Sequence, residues 1–228
     1  MKFVVTAGPT REFIDPVRFL SNPSTGRMGF AVARAARAAG HEVTLIAGPV
    51  SLKTPPGVRR VDVVSTRDML KAVRTVIARA DVLVMTAAVA DWRPARRAAR
   101  KLKKSEMSGT LHLVRNPDIL KTINRSCGRA ALVAAKTGAT GVSPVALIRI
   151  GFAAETGAPA AEAARKCREK GLDLVVGNDV TARGSGFGTT TNRVTFVTPD
   201  GRVQHLPLMS KLAVARRIVS FAERRAKG

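Results

Sequence analysis

Six short apolar runs separated by helix-patterned segments constrain this chain more than any other feature. They are Lys2–Thr6, Glu42–Ile46, Val61–Val64, Val82–Thr86, Leu147–Phe152 and Leu172–Val176. Runs this short and this rich in Val, Ile and Leu read as strands, and their alternation with helical patterns predicts a βαβ-type parallel sheet. The helices carry their own signals. Gly29–Ala39 is alanine-rich and stops at Gly40, and Ser65-Thr66-Arg67-Asp68 makes a capping-box-like start for a helix to about Ala80. Pro159–Lys170 is ended by Gly171. Past the sixth strand, Arg193–Thr198, the turn Pro199-Asp200-Gly201 and Arg202–Leu206 read as a β-hairpin before a basic helix from about Ser210. The expectation is an α/β fold: a Rossmann-like, mostly parallel sheet flanked by helices, with a C-terminal β-hairpin, residues 1–228 forming a single domain. With 45% hydrophobic content in 228 residues, such a chain buries a real core.

The longest apolar runs, such as Val82–Met85 and Val145–Ile148, fall far short of the roughly 20 residues that span a bilayer. Met1-Lys2-Phe3 enters a strand without a signal-peptide pattern. A soluble, cytoplasmic protein with no membrane partner is expected. Cys127 and Cys167 show no CxxC spacing and no nearby His, so they read as ordinary thiols rather than a disulfide framework or zinc site. His41, His112 and His205 are isolated from one another and read as satisfied or exposed. The charge is unusual: 39 Lys+Arg against 16 Asp+Glu gives +23. That implies attraction to anions, either nucleic acid or phosphorylated small molecules. Arginines recur in nearly every helix (Arg34, Arg37, Arg74, Arg165, Arg216, Arg224) and Tyr is absent, which favours a generally basic surface over a dedicated nucleic-acid motif. No repeat or low-complexity linker is visible; Gly138–Ser143 reads as a surface loop.

In an open parallel sheet, ligands bind outside the carboxyl ends of the strands. Polar loops fall there: TAGPTREFIDPVRFLSNPSTGRMG (Thr6–Gly29) around the end of the first strand, Ala87–Lys104 after the fourth, Ala153–Thr156 after the fifth, and Asn178–Gly188 after the sixth. Four such loops on one edge predict a pocket. The first exceeds the usual few residues of a strand-to-helix connection. Its Ser24-Thr25-Gly26-Arg27 precedes a helix and reads either as a phosphate loop or as glycines of a tight turn. It has neither P-loop nor GxGxxG spacing, and the second strand ends without the acid that would hold an NAD ribose, which disfavours an NAD-dependent oxidoreductase. Seven of the twelve residues Arg93–Lys104 are basic, either a solvated run or a flap that neutralises a polyphosphate. Lys166 and Lys170, four apart, share a helix face that grips phosphate oxygens or meets solvent. Spacing assigns no role to Asp15, Arg18 or Asn22. The residues themselves lead to a basic, phosphate-binding α/β domain.

These loops, together with AGPVSL after the second strand, AAVADWRP, KLKK, NPDIL, GFAAET, AARKCREK, NDV…GFG and the C-terminal SKLAVA, closely resemble phosphopantothenoylcysteine synthetase, the ligase of coenzyme A biosynthesis. In many bacteria that family forms the second half of a bifunctional flavoprotein. The resemblance covers nearly the whole chain, and the joint order of its pieces is far more specific than any one. It implies CTP-dependent joining of 4′-phosphopantothenate and L-cysteine through an acyl-cytidylate, with CTP as co-substrate and Mg²⁺ on the triphosphate. Carried over by motif, Asn22, Arg18 and Lys101 are the catalytic positions. Nucleotide contacts map to Met85, Thr86, Ala87, Asp91, Lys101, Pro117, Asp118, Ile119, Leu120, Phe152, Lys166 and Lys170, with Ser24, Thr25, Gly26 and Arg27 as the phosphate loop and no metal-ligating side chain. It further implies a homodimer whose site is completed across the interface, with Thr86–Ala90 a candidate stretch. The chain starts at its first strand, so no FMN is expected, and a separate decarboxylase is expected in the pathway. Departures are Pro23 and Arg27, where relatives often carry His and Lys, and a long Arg125–Ser143 region. The alternative is a basic nucleic-acid-binding protein on the same fold; no specific nucleic-acid partner is expected otherwise.

Overall fold

The computed structural model describes residues 1–106, 109–126, 146–155 and 159–227. In chain order the strands are β1 (Lys2–Ala7), β2 (Arg11–Phe13), β3 (Phe19–Ser21), β4 (Glu42–Ala47), β5 (Arg59–Asp62), β6 (Val82–Met85), β7 (Trp92–Pro94), β8 (Leu113–Arg115), β9 (Ile148–Glu155), β10 (Leu174–Asp179), β11 (Thr191–Asn192), β12 (Val194–Val197), β13 (Val203–His205) and β14 (Met209–Ser210). The helices are α1 (Arg27–Ala38), α2 (Thr66–Ile77), α3 (Ile119–Ser126), α4 (Pro159–Glu169) and α5 (Lys211–Lys227). Eight strands form the central sheet in the order β13-β12-β10-β9-β6-β1-β4-β5. The run from β10 to β5 is parallel, and β12 and β13 close one edge antiparallel. The order reverses between β1 and β6, and such a switch point opens a crevice at the strands' carboxyl ends.

Strand periodicity divides the core. Phe3, Val5 and Ala7 point to one face, under α1 and α5, while Val4, Ile46 and Leu83 point to the other, under α2, α3 and α4. Each fully buried Leu, Ile, Val or Phe contributes roughly 1.5–3 kcal/mol, so two filled faces give this sheet its stability. α1 comes unusually close. A Cβ at Gly29 would lie 2.5 Å from both Ala7 Cβ and Thr86 Oγ1, so only glycine lets the helix settle over β1 and the end of β6.

The third strand differs from expectation. Val61–Val64 was the apolar run, yet the ladder is Arg59–Asp62, because the chain leaves the Pro55-Pro56-Gly57 turn directly into register with Thr44–Ala47. As an edge strand it tolerates arginines, and Arg60 is tied down by Asp62 and the Leu52 carbonyl. Ala153–Glu155 and Asn178-Asp179, read as loop, continue β9 and β10, since Ala153 pairs with Gly177 and Ala154 with Asn178. Three short ladders, β2–β3, β7–β8 and β11–β14, lie outside the strands expected from the sequence. The expected loop at 138–143, residues 127–143 of the long region, and Cys127 lie outside the described residues. Among those described, no helix is long and apolar enough to cross a membrane.

Candidate functional site

At the switch point the loops after β1 and β6 zip together. Ala88 N–H donates to Gly8 O at 2.9 Å, Thr10 N–H to Ala88 O at 3.3 Å, and Ala90 N–H to Thr10 Oγ1 at 3.0 Å. The Asn22 side-chain amide donates to Ala88 O at 3.1 Å, which seats Asn22 on the same wall. Asn116 braces the opposite side through Ala90 O at 2.9 Å and Thr66 Oγ1 at 3.2 Å. The result is a cleft of about 840 Å³, within the range of small-molecule sites.

Most predicted residues meet there. Asn22, Met85, Ala87, Asp91, Pro117, Asp118, Ile119, Leu120, Phe152, Lys166 and Lys170 line the cleft. The Lys170 ammonium lies 2.9 Å from the Asp118 carboxylate, and Lys166 lies 3.5 Å from Glu162. Burial pushes the Asp118 carboxyl up, but the Lys121 amide and Lys170 outweigh it and hold the group below its ordinary value. Trp92, Arg115, Asn116 and Phe187 also stand in this wall and were not singled out from sequence, although AAVADWRP contains Trp92, NPDIL contains Asn116 and GFG contains Phe187.

A smaller recess of about 110 Å³ adjoins the cleft and shares Ala87, Ala88, Phe152, Ala154 and Phe187 with it. Ser24, Thr25, Gly26 and Arg27 line it, with Thr86. Gly26, the N-cap of α1, is left-handed (φ 78°) and no side chain caps the helix, whose first residues Arg27 and Met28 line this recess. Lys211 and Asn178 also line it and were not singled out from sequence. Lys211 is 6% exposed. Its Nζ donates to Gly186 O at 2.8 Å and Phe187 O at 3.3 Å, and the Phe187 carbonyl also accepts the Thr25 hydroxyl at 2.7 Å. Burial, then Arg27, lowers its pKa to about 8.

Two expected catalytic residues lie elsewhere. Arg18 lines neither cavity; its guanidinium is held by Asp15 at 2.6 Å and donates to Leu102 O at 2.7 Å. Lys101 is exposed, one position from that anchor, and lines neither cavity. Both expectations came by motif; the fold uses Arg18 locally because a buried carboxylate stands three residues away. The Thr86–Ala90 stretch suggested for an interface lines the cavity walls. Among the described residues, no group of three or more His, Cys, Asp or Glu could hold a metal. His41 bonds Glu223, His205 bonds Thr195 and His112 is exposed. Cys167 is buried, its thiol pushed up to about 11 chiefly by burial, which makes it inert.

Fold and cavities define a doubly wound α/β protein with a cation-rich ligand crevice at its topological switch point. The chain belongs to the family described as DNA/pantothenate metabolism flavoprotein C-terminal domain, whose model matches residues 1–224. It is 45% identical over 217 residues to the coenzyme A biosynthesis bifunctional protein CoaBC of Bacillus subtilis, covering 95% of this chain and 49% of that protein. Against CoaBC of Escherichia coli K12 it is 41% identical over 214 residues, covering 92% and 48%. The crystal structure of a CoaBC C-terminal domain superposes with a TM-score of 0.77 at 38% identity, covering 99% of this chain and 95% of that one. The chain thus spans about half the length of the curated relatives it matches.

Proposed function

We propose that this chain is a cytoplasmic ligase that joins 4′-phosphopantothenate to L-cysteine at the expense of CTP, in coenzyme A biosynthesis. The observation that carries the reading is the convergence of Asn22, the Pro117–Leu120 turn, Phe152, Lys166 and Lys170 on one cleft at the switch point. The names of the relatives support the same reading. Cations converging on a cleft of small-molecule size favour it over the nucleic-acid alternative, which would be served by an open basic stripe.

The chemistry suits this lining. A carboxylate is a poor electrophile, so its oxygen attacks the α-phosphorus of CTP and the bond to pyrophosphate breaks. The cysteine amine then attacks the acyl carbon, loses a proton and expels CMP. Negative charge builds on oxygen in both steps, first at phosphorus and then at carbon, and preorganised donors stabilise it where it develops. Asn22, held by Ala88 O, presents its amide to the carboxylate or acyl oxygen. Lys166 and Lys170, with the backbone donors at the start of α3, face the nucleotide's phosphates, and Phe152 offers an apolar surface. The recess at Ser24–Arg27 serves as the phosphate loop. Mg²⁺ supplies charge neutralisation while travelling with the triphosphate, whose oxygens suit a hard cation that keeps its waters.

Lys101 reaches the transferring phosphate from its exposed segment, and Arg18 acts through that segment. The protein works as one domain within a homodimer. The exposed Val17 in the β2–β3 turn, with Phe19, Trp92, Leu113 and Val114 on the small ladders β2–β3 and β7–β8, supports such an interface. A decarboxylase is the reaction class that consumes the product.

The test supplies Mg²⁺, CTP and 4′-phosphopantothenate, omits cysteine, and seeks pyrophosphate and an acyl-cytidylate by mass spectrometry, repeating with ATP. Formation of the intermediate with CTP and its conversion to product and CMP on adding cysteine is expected. Consumption of neither nucleotide, with or without cysteine, overturns the reading.

A further inference from the structure

The turn of the β2–β3 hairpin holds a carboxylate that gathers five hydrogen bonds. Asp15 Oδ1 accepts the amides of Val17 and Arg18 at 2.8 Å each. Its Oδ2 accepts Arg18 Nε at 3.0 Å, Arg18 Nη2 at 2.6 Å and the Leu102 amide at 3.2 Å. The residue is 0% exposed. Burial pushes its carboxyl up, but the Arg18 and Val17 amides, the guanidinium and the Leu102 amide together hold it well below the usual carboxylate range. It therefore stays ionised across the physiological range, and its charge is matched within the turn.

Four of these bonds lie within the hairpin turn, but the bond to Leu102 spans 87 positions of chain. Arg18, oriented by Asp15, also donates to the Leu102 carbonyl at 2.7 Å. One ion pair therefore grips Leu102 by both its amide and its carbonyl. The Ala98 amide donates to Ile14 O at 2.8 Å, and the Arg97 guanidinium lies 4.8 Å from the centre of the Phe13 ring. Lys101 thus sits between anchors at residues 97–98 and 102. At the other end of the same hairpin, the Ser21 hydroxyl donates to Thr10 O at 2.8 Å and the Asn22 amide to Ala88 O. A single two-stranded element carries Asn22 on the cleft and the lysine segment at its turn.

We propose that Asp15 is a positioning residue for the reaction. By clasping Arg18 and Leu102 it fixes the segment that bears Lys101 to the hairpin that bears Asn22, so the two halves of the site keep one geometry. Asp15 lines neither cavity and acts only through these partners. The catalytic meaning rests on the ligase reading above, while the clasp itself rests on the hydrogen bonds.

Asp15→Asn preserves size but sets an amide N–H₂ against donors, so the clasp loses acceptors that no rotation restores. In the full chain, trypsin cleavage mapped by mass should accelerate about tenfold within Arg96–Lys104, rise also at Arg18, whose own hold is lost, and stay unchanged elsewhere. The kcat should fall at least tenfold with KM for CTP changed less than twofold, and Asp15→Glu should recover part of it. Unchanged cleavage overturns the clasp; faster cleavage with normal kcat overturns the positioning role. If wild-type protein makes no product, the ligase reading fails while cleavage still decides the clasp. Should Asp15→Asn not fold, Arg18→Gln keeps the turn's backbone bonds and weakens the hold on Leu102, and the same two measurements apply.

Discussion

Asn22 donates one side-chain N–H to Ala88 O at 3.1 Å, leaving its amide oxygen and second hydrogen for a partner in the cleft. An aspartate of the same shape cannot donate and sets a charge against that carbonyl. Asn22→Asp is expected to retain the fold and to lose roughly 10²–10³ in turnover, the scale of one lost oxyanion-type donor. Steady-state product formation measures this, and near-normal synthesis would remove Asn22 from the mechanism. At this scale the sequence was only partly legible. Asn22 was named by motif, with no physical signal, because a loop asparagine is as often a turn residue. Arg18 shows the complementary limit: a motif names the residue but not Asp15, the side chain that holds it. Lys211 was missed because a lysine opening a basic helix looks solvated until the chain folds over it.

The helix α2 was legible because its signals are local. Ser65 accepts the Asp68 amide, and Asp68 accepts the Ser65 amide at 2.9 Å, a reciprocal capping box. Ser65→Ala should cost about 1 kcal/mol. For a domain of this size that lowers Tm by about 2–4 °C, read by thermal melting, with kcat unchanged because Ser65 touches neither cavity. No change in Tm would mean that the α2 terminus is held by tertiary partners alone. Those partners exist: Glu12 accepts the Thr66 amide at 2.8 Å and Asn116 reaches Thr66 Oγ1. Neither bond is readable from the sequence, since each joins residues about fifty positions apart. Strands in the sheet centre were placed well by their apolar runs. The edge strand β5 was misplaced because half-exposed strands carry no such run, and the three-residue ladders β2–β3 and β7–β8 are too short to show a period.

For the whole molecule, burying the Lys211 ammonium in a chain of net charge +23 has a pH signature. Lys211 has its pKa lowered from 10.5 to about 8, first by burial and then by Arg27. A folded pKa below the unfolded one means that between about pH 8 and 10.5 the unfolded chain binds more protons, so this group's contribution rises with pH there. Below pH 8 the penalty of burying the charge is fully present. Denaturant unfolding should show wild type gaining on Lys211→Met as pH rises from 8 to 10.5, and a constant difference would place the lysine's pKa at its ordinary value.

The sequence by itself determined the class of fold, the two-faced core and the edge of the sheet where the site opens. Apolar periodicity and helix caps are set by neighbours along the chain, and a parallel sheet leaves its polar loops at one end. Only the tertiary structure decided which loop residues face the cleft, which cations are held by acids, and that Asp15 reaches Leu102. Those outcomes depend on contacts between segments far apart in the chain, where a single buried carboxylate or a glycine's missing Cβ decides what can approach.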